Sequence, residues 1–124
     1  MFLSIIIPTY NEERTVIEIL KKIKNNSSNL CKYEVIVIDD GSTDQSRKLL
    51  ENSKDLFDKL LVNETNKGKG FSVKKGILNA SGTHIIFQDA DFEYDPADFK
   101  KFVKIFLDFN ADGIIGSRFI YSNY

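Results

Sequence analysis

Short apolar runs alternate along the chain with amphipathic or polar stretches. Leu3-Ser4-Ile5-Ile6-Ile7 reads as a buried strand closed by Pro8, which cannot donate to a ladder. Asn11 to Asn25 reads as a helix: Val16, Ile19, Leu20 and Ile23 recur at the helical period, with lysines opposite. Glu34 to Ile38 carries the β-branched run Val35-Ile36-Val37-Ile38 and predicts a second buried strand. Ser42-Thr43-Asp44-Gln45 has the form of a capping box, predicting a helix to about Ser53.

Lys59 to Val62 is a weaker strand. Gly68 or Gly70 opens a third helix with Val73, Ile77 and Ala80 on one face, ended by Ala80-Ser81-Gly82. His84 to Phe87 is another strand. Asp95-Pro96-Ala97-Asp98 opens a fourth helix with an acid at the cap and proline at the first position. Phe99, Phe102, Val103 and Phe106 form its apolar stripe, and Asp112 to Gly116 predicts a last strand. Strict alternation of strands and helices implies an α/β fold, a mostly parallel sheet with helices on both faces. Such sheets bind ligands beyond the carboxyl ends of their strands. The polar clusters stand there: Thr9 to Glu12, Asp39 to Ser42, Asp89 to Glu93, and Ser117-Arg118.

Composition narrows the options. The 124 residues, 42% of them hydrophobic, suffice for one domain spanning 1–124 with a real core. A net charge of −1, from 17 basic and 18 acidic residues, argues against nucleic-acid binding, which needs concentrated positive charge. The one cysteine, Cys31, permits no internal disulfide and fits a reducing compartment. No apolar run is long enough to cross a bilayer, and the N-terminus lacks a signal-peptide pattern, so a cytoplasmic location is expected.

Asp89-Ala90-Asp91 carries the most distinctive chemistry. Alternate residues of an extended segment point the same way, so two carboxylates converge. A hard divalent cation would relieve their repulsion, and Mg²⁺ or Mn²⁺ is commonly shared between carboxylates and substrate phosphates. Glu93 could add an oxygen; the plain alternative is a solvated acidic turn. Asp39-Asp40-Gly41-Ser42 offers an acid for a ribose or base and a glycine permitting close approach, or merely a helix cap. In Pro8-Thr9-Tyr10-Asn11-Glu12, Tyr10 could stack on a nucleobase and Glu12 accept hydrogen bonds, or the segment is an ordinary turn. Asn66-Lys67-Gly68-Lys69-Gly70 could hold phosphate, with Lys69 the candidate, although it is not a Walker A loop. Arg118 suits a phosphate by bidentate pairing. His84 more often packs than reacts.

Taken in order, these motifs resemble family 2 glycosyltransferases of the GT-A fold. Gln88-Asp89-Ala90-Asp91 and Gly116-Ser117-Arg118-Phe119 resemble the branch of dolichyl- and polyprenyl-phosphate mannosyl- or glucosyltransferases. The resemblance implies inverting transfer from a UDP- or GDP-sugar to a polyprenyl or dolichyl phosphate at a membrane surface. It implies that Pro8, Thr9, Tyr10, Glu12, Asp39 and Asp40 hold the nucleoside, with Val37 or Ile38 nearby. It makes Asp89 and Asp91 the metal-binding acids, with Ala90 between them against the donor, and makes Arg118 neutralise the diphosphate or face the acceptor phosphate. Relatives often have glutamine at the position of Glu93, so the extra charge there bears on metal binding. They also continue past the Gly-Ser-Arg motif, so an acceptor-binding C-terminal part is expected to be missing.

Two other classes compete. A module keeping the donor pocket without turnover is compatible with an early stop, though it would need none of Asp89, Asp91 and Arg118. A nucleotidyltransferase would want a glycine-rich loop where Pro8 to Glu12 stands, and an aspartyl phosphatase would want threonine soon after its acids.

Overall fold

The structure is a computed structural model that describes residues 1–27, 30–91 and 95–109. The elements run β1 (Phe2–Thr9), α1 (Val16–Ser27), β2 (Lys32–Asp40), α2 (Ser46–Glu51), β3 (Lys59–Asn63), α3 (Lys69–Leu78), β4 (His84–Phe87) and α4 (Phe99–Phe109). Single 3-10 turns occupy Lys54–Leu56 and Pro96–Asp98. The strands form one parallel sheet in the order β3-β2-β1-β4. The expected strand from Asp112 to Gly116 lies outside the described residues, as do Glu93 and Arg118.

The two faces of the sheet are covered differently. Leu3, Ile5, Ile7, Val35 and Val37 pack against Ile19, Leu20 and Ile23 of α1, Leu50 of α2, and Phe99 and Val103 of α4. Each large aliphatic side chain buried this way contributes roughly 1.5–3 kcal/mol. Ile6, Ile36 and Ile38 form a smaller cluster on the other face. There α3 comes so close that a Cβ on Gly76 would lie 2.6 Å from Ile6 Cγ2 and 3.0 Å from Ile38 Cδ1.

Several boundaries differ from the pattern-based expectation. Pro8 does not close β1: it pairs in register with Ile38, and the strand runs on to Thr9. The Ile6 carbonyl accepts from the Gln88 N–H, so Pro8, two residues on, turns its nitrogen to the same side. β4 pairs no further than Ile6, so the missing N–H breaks no ladder bond. Helix α1 begins at Val16 rather than Asn11, because Asn11 to Glu13 bond to the loop after β2. Helix α2 begins at Ser46, and no side chain caps it from Gln45. Ser42 cannot act as the expected cap, since its hydroxyl accepts from the Asn11 N–H. On α3 the wholly buried positions are Ser72 and Gly76, whereas Ile77 is largely exposed. Small residues let α3 approach the sheet, and the larger apolar ones point elsewhere.

Candidate functional site

At the carboxyl end of the sheet the loops after β1 and β2 are zipped together. Asn11, at a φ of 51°, accepts through Oδ1 from the Thr43 N–H at 2.8 Å and the Asp44 N–H at 3.3 Å. Glu12 N–H donates to Ser46 Oγ at 2.9 Å, and Glu13 N–H donates to Asp44. Asparagine tolerates the left-handed region better than most residues, which is why it can turn the chain here. Thr15 Oγ1 donates to the Ala90 carbonyl at 2.6 Å and ties this assembly to the loop after β4.

Asp40 organises the loop after β3. Its Oδ1 accepts from Asn63 Nδ2 at 2.9 Å and the Lys67 N–H at 2.8 Å, and its Oδ2 accepts from the Gly68 N–H at 2.9 Å. Charge-assisted bonds of this kind are the strong ones, and both oxygens are engaged in positioning Asn66 to Gly70. Gly41 is required beside it: at a φ of 69°, a Cβ would meet the backbone of Thr65 and Asn66 at 2.5 Å.

These loops enclose a cavity of about 350 Å³. Pro8, Thr9, Tyr10 and Glu12 line it from β1, Asp40 from β2, Asn66, Gly68, Lys69 and Ser72 from the loop and start of α3, and Asp89, Ala90 and Asp91 from beyond β4. Tyr10 is 43% exposed, so its ring is available to a ligand. Lys69 Nζ lies 2.5 Å from Asp89 Oδ1 across the cavity. Asp91 makes polar contacts of its own.

Two expected site residues lie apart from the lining. Ile38 is wholly buried beneath α3, so its side chain belongs to the core. Asp39, at the end of β2, is also fully buried. Its Oδ1 accepts from the Ser42 N–H at 3.4 Å, while Oδ2 has no partner among the described residues. An unmet buried acceptor costs roughly 1–3 kcal/mol, so a donor reaching it would gain that back.

Asp89 and Asp91 offer hard oxygen donors to one cavity, and no cluster of three metal-binding side chains occurs among the described residues. Two carboxylates suit Mg²⁺ or Mn²⁺ when phosphate oxygens and water complete the shell. Pattern reasoning passed over Ser72, a cavity-lining helix residue that also accepts from Asn63 Nδ2 at 3.1 Å, because a helical serine carries no sequence signal. It also passed over Asn11 as the staple, which the Tyr-Asn turn could have suggested. His84 packs edge-on against Phe106, centroids 4.8 Å apart, as expected. Burial pushes the Cys31 thiol above its ordinary value, against a smaller opposing pull from the N-terminal charge, which fits an unreactive role.

Comparison with known proteins identifies the family and the fold. The model of the family described as Glycosyl transferase family 2 matches residues 4–123. A relative named dolichol-phosphate mannosyltransferase, from Pyrococcus furiosus, is 34% identical over 121 residues, covering 97% of this chain and 34% of the relative. TarS 1–349 from S. aureus, solved in complex with UDP-GlcNAc, superposes with a TM-score of 0.74 at 28% identity, covering 96% of this chain and 38% of that one. The mannosyltransferase PcManGT from Pyrobaculum calidifontis, solved with GDP-Man and Mn²⁺, gives a TM-score of 0.62 at 31% identity over 72% of this chain and 27% of that one. These neighbours are GT-A glycosyltransferases, and the chain has their fold. It spans about a third to a half of the length of the curated relatives it matches.

Proposed function

The chain belongs to glycosyl transferase family 2, and on that footing we propose that it forms the donor-binding domain, residues 1–124, of an inverting hexosyltransferase. The donor is a UDP- or GDP-sugar and the acceptor a polyprenyl or dolichyl phosphate. One observation carries the reading: stretches far apart in sequence, around Tyr10, Asp40, Lys69 and Asp89, line a single cavity at the carboxyl ends of parallel strands. Donors of this class bind TarS and PcManGT, and the P. furiosus relative's name supports the acceptor.

In this reading Tyr10 stacks on the base beside Pro8 and Thr9, and Glu12 accepts from ribose or base donors. Asp39 takes a base or ribose donor on its unmet oxygen. Asp40 acts through the loop it holds, which sets Lys69 against the diphosphate. Asp89 and Asp91, with Glu93, would hold Mg²⁺ or Mn²⁺. Bound there, the ion stabilises negative charge on the departing nucleoside diphosphate. Lys69 and Arg118 add positive charge to the same leaving group. An acceptor phosphate is already ionised and attacks the anomeric carbon without a strong general base. No helix among the described residues is long and apolar enough to cross a membrane.

Calorimetric titration with UDP-glucose and GDP-mannose, in Mn²⁺ and then in EDTA, tests the reading. Binding of either donor that EDTA abolishes is the expected result. A folded sample that binds neither donor would overturn it.

A further inference from the structure

The Lys69–Asp89 ion pair spans the cavity wall to wall. Lys69, at the first position of α3, keeps its side chain 64% exposed, while that of Asp89, just past β4, is 22% exposed. An ammonium group 2.5 Å from Asp89 Oδ1 competes directly with any cation approaching that oxygen. Pairs with one partner this open to solvent are weak, worth no more than about a fivefold change in an equilibrium, so Lys69 can be drawn away. The backbone immediately before it is anchored, because Asp40 holds the Lys67 and Gly68 N–H groups.

We infer that Lys69 is an exchangeable counter-ion, passing from Asp89 to the donor's diphosphate and so making metal and nucleotide bind cooperatively. The inference rests on the proposed donor site and deepens it. A nucleoside diphosphate offers Lys69 more negative charge than one carboxylate does. As the lysine transfers, it uncovers Asp89 Oδ1 for the divalent cation. The cation in turn weakens the pull of Asp89 on Lys69 and frees it for phosphate. Such coupling is reciprocal: whatever factor the nucleotide adds to metal affinity, the metal adds to nucleotide affinity. Metal alone therefore binds against the resident lysine, and the site loads its two ligands together.

The test is Mn²⁺ binding followed by electron paramagnetic resonance, with and without UDP or GDP, in the wild-type protein, Lys69→Met and Lys67→Met. Lys67→Met removes a neighbouring charge that sits over the Phe71 ring instead, 5.6 Å from its centroid. In Lys69→Met, affinity for Mn²⁺ alone should rise roughly two- to fivefold, the upper part of the range for releasing an open ion pair. The enhancement of Mn²⁺ affinity by nucleotide should shrink in parallel. Lys67→Met should show neither change. Wild-type binding of nucleotide and metal with no rise in Lys69→Met would overturn the exchange and leave the donor site standing. An equal rise in Lys67→Met would also overturn it, reducing the effect to bulk charge. Absence of nucleotide and metal binding in every protein would remove the donor site itself, and the exchange with it.

Discussion

Strand β2 buries carboxylates at both of its ends, and the two ends treat them differently. Near its start, Glu34 Oε1 accepts from Ser4 Oγ at 2.7 Å and the Ser81 N–H at 2.6 Å, and Lys59 lies 3.7 Å from Oε2. Ser4 Oγ in turn accepts from the Gly82 N–H at 2.9 Å. That network joins β1, β2, β3 and the turn before β4, and serves only to hold them. At the other end, Asp40 is equally saturated, but by the loop that shapes a cavity, and its neighbour Asp39 keeps one oxygen unmet. A buried acid with both oxygens engaged by the protein is architecture. Asp39, next in sequence to a cavity-lining acid, keeps one oxygen that no protein donor answers among the described residues.

The sharpest way to break this contrast is at the cavity's own acids. Asp91→Asn should lower metal-dependent donor binding by more than about 100-fold, as loss of a direct ligand costs more than loss of an outer one. Its melting temperature should stay within about 2 °C of wild type, because the residue supports a ligand rather than the core. Unchanged affinity by calorimetry would remove Asp91 from the metal site.

Asp40→Ala tests the saturated acid at the same end. It takes one of two acceptors from Asn63 Nδ2, which keeps Ser72 Oγ, and the acceptor of two backbone N–H groups, and should cost about 2–4 kcal/mol in urea unfolding while loosening the nucleotide site. A loss below about 1 kcal/mol would mean that Asn66 to Gly70 hold their shape without it.

Glu34→Gln should cost less, about 1–2 kcal/mol, since the amide keeps one acceptor. Its pH dependence sharpens the comparison. Burial raises the Glu34 carboxyl, but the Ser4 hydroxyl, the Ser81 N–H and Lys59 outweigh it, so the group ends below its ordinary 4.5. A lowered folded value means that the ionised form stabilises the fold above about pH 4.5, and that this contribution is lost as pH falls through the folded value. Unfolding measured from pH 7 down to pH 3 should show a steeper acid loss for wild type than for Glu34→Gln. Parallel curves would place the acid sensitivity elsewhere.

Asp39→Asn carries the smallest expected change in stability, under about 1 kcal/mol, because the replaced oxygen has nothing to lose. Nucleotide affinity should nevertheless fall roughly tenfold, with a changed preference between UDP and GDP, as expected for one base or ribose hydrogen bond to a charged group. A fall in stability of about 2 kcal/mol with unaltered affinity would return Asp39 to the architectural class.

Much of this was legible from pattern. The strands announced themselves as β-branched runs, α1 and α4 carried their core residues at helical spacing, and the polar clusters marked the strand ends that form the site. The misreadings share a cause. Ser42-Thr43-Asp44-Gln45 has the local signature of a cap, but Asn11, 31 residues earlier, takes the Ser42 hydroxyl instead. Of Val73, Ile77 and Ala80, the face expected to turn inward, Ala80 does pack on the Ile6-Ile36-Ile38 cluster, but Ile77 is exposed, because the close approach of α3 is made at the small residues Ser72 and Gly76.

By itself, the sequence determined the alternation of elements, the parallel sheet it implies and the residues that gather at its carboxyl edge. Those follow from periodicity and burial, which act within a few residues of chain. Only the tertiary structure decided which acids are architectural and which keep an unmet oxygen, where Pro8 may sit inside a strand, and that Lys69 faces Asp89. Such distinctions depend on hydrogen-bond partners brought from 20 to 80 residues away, and no local pattern of side chains encodes which partner will arrive first.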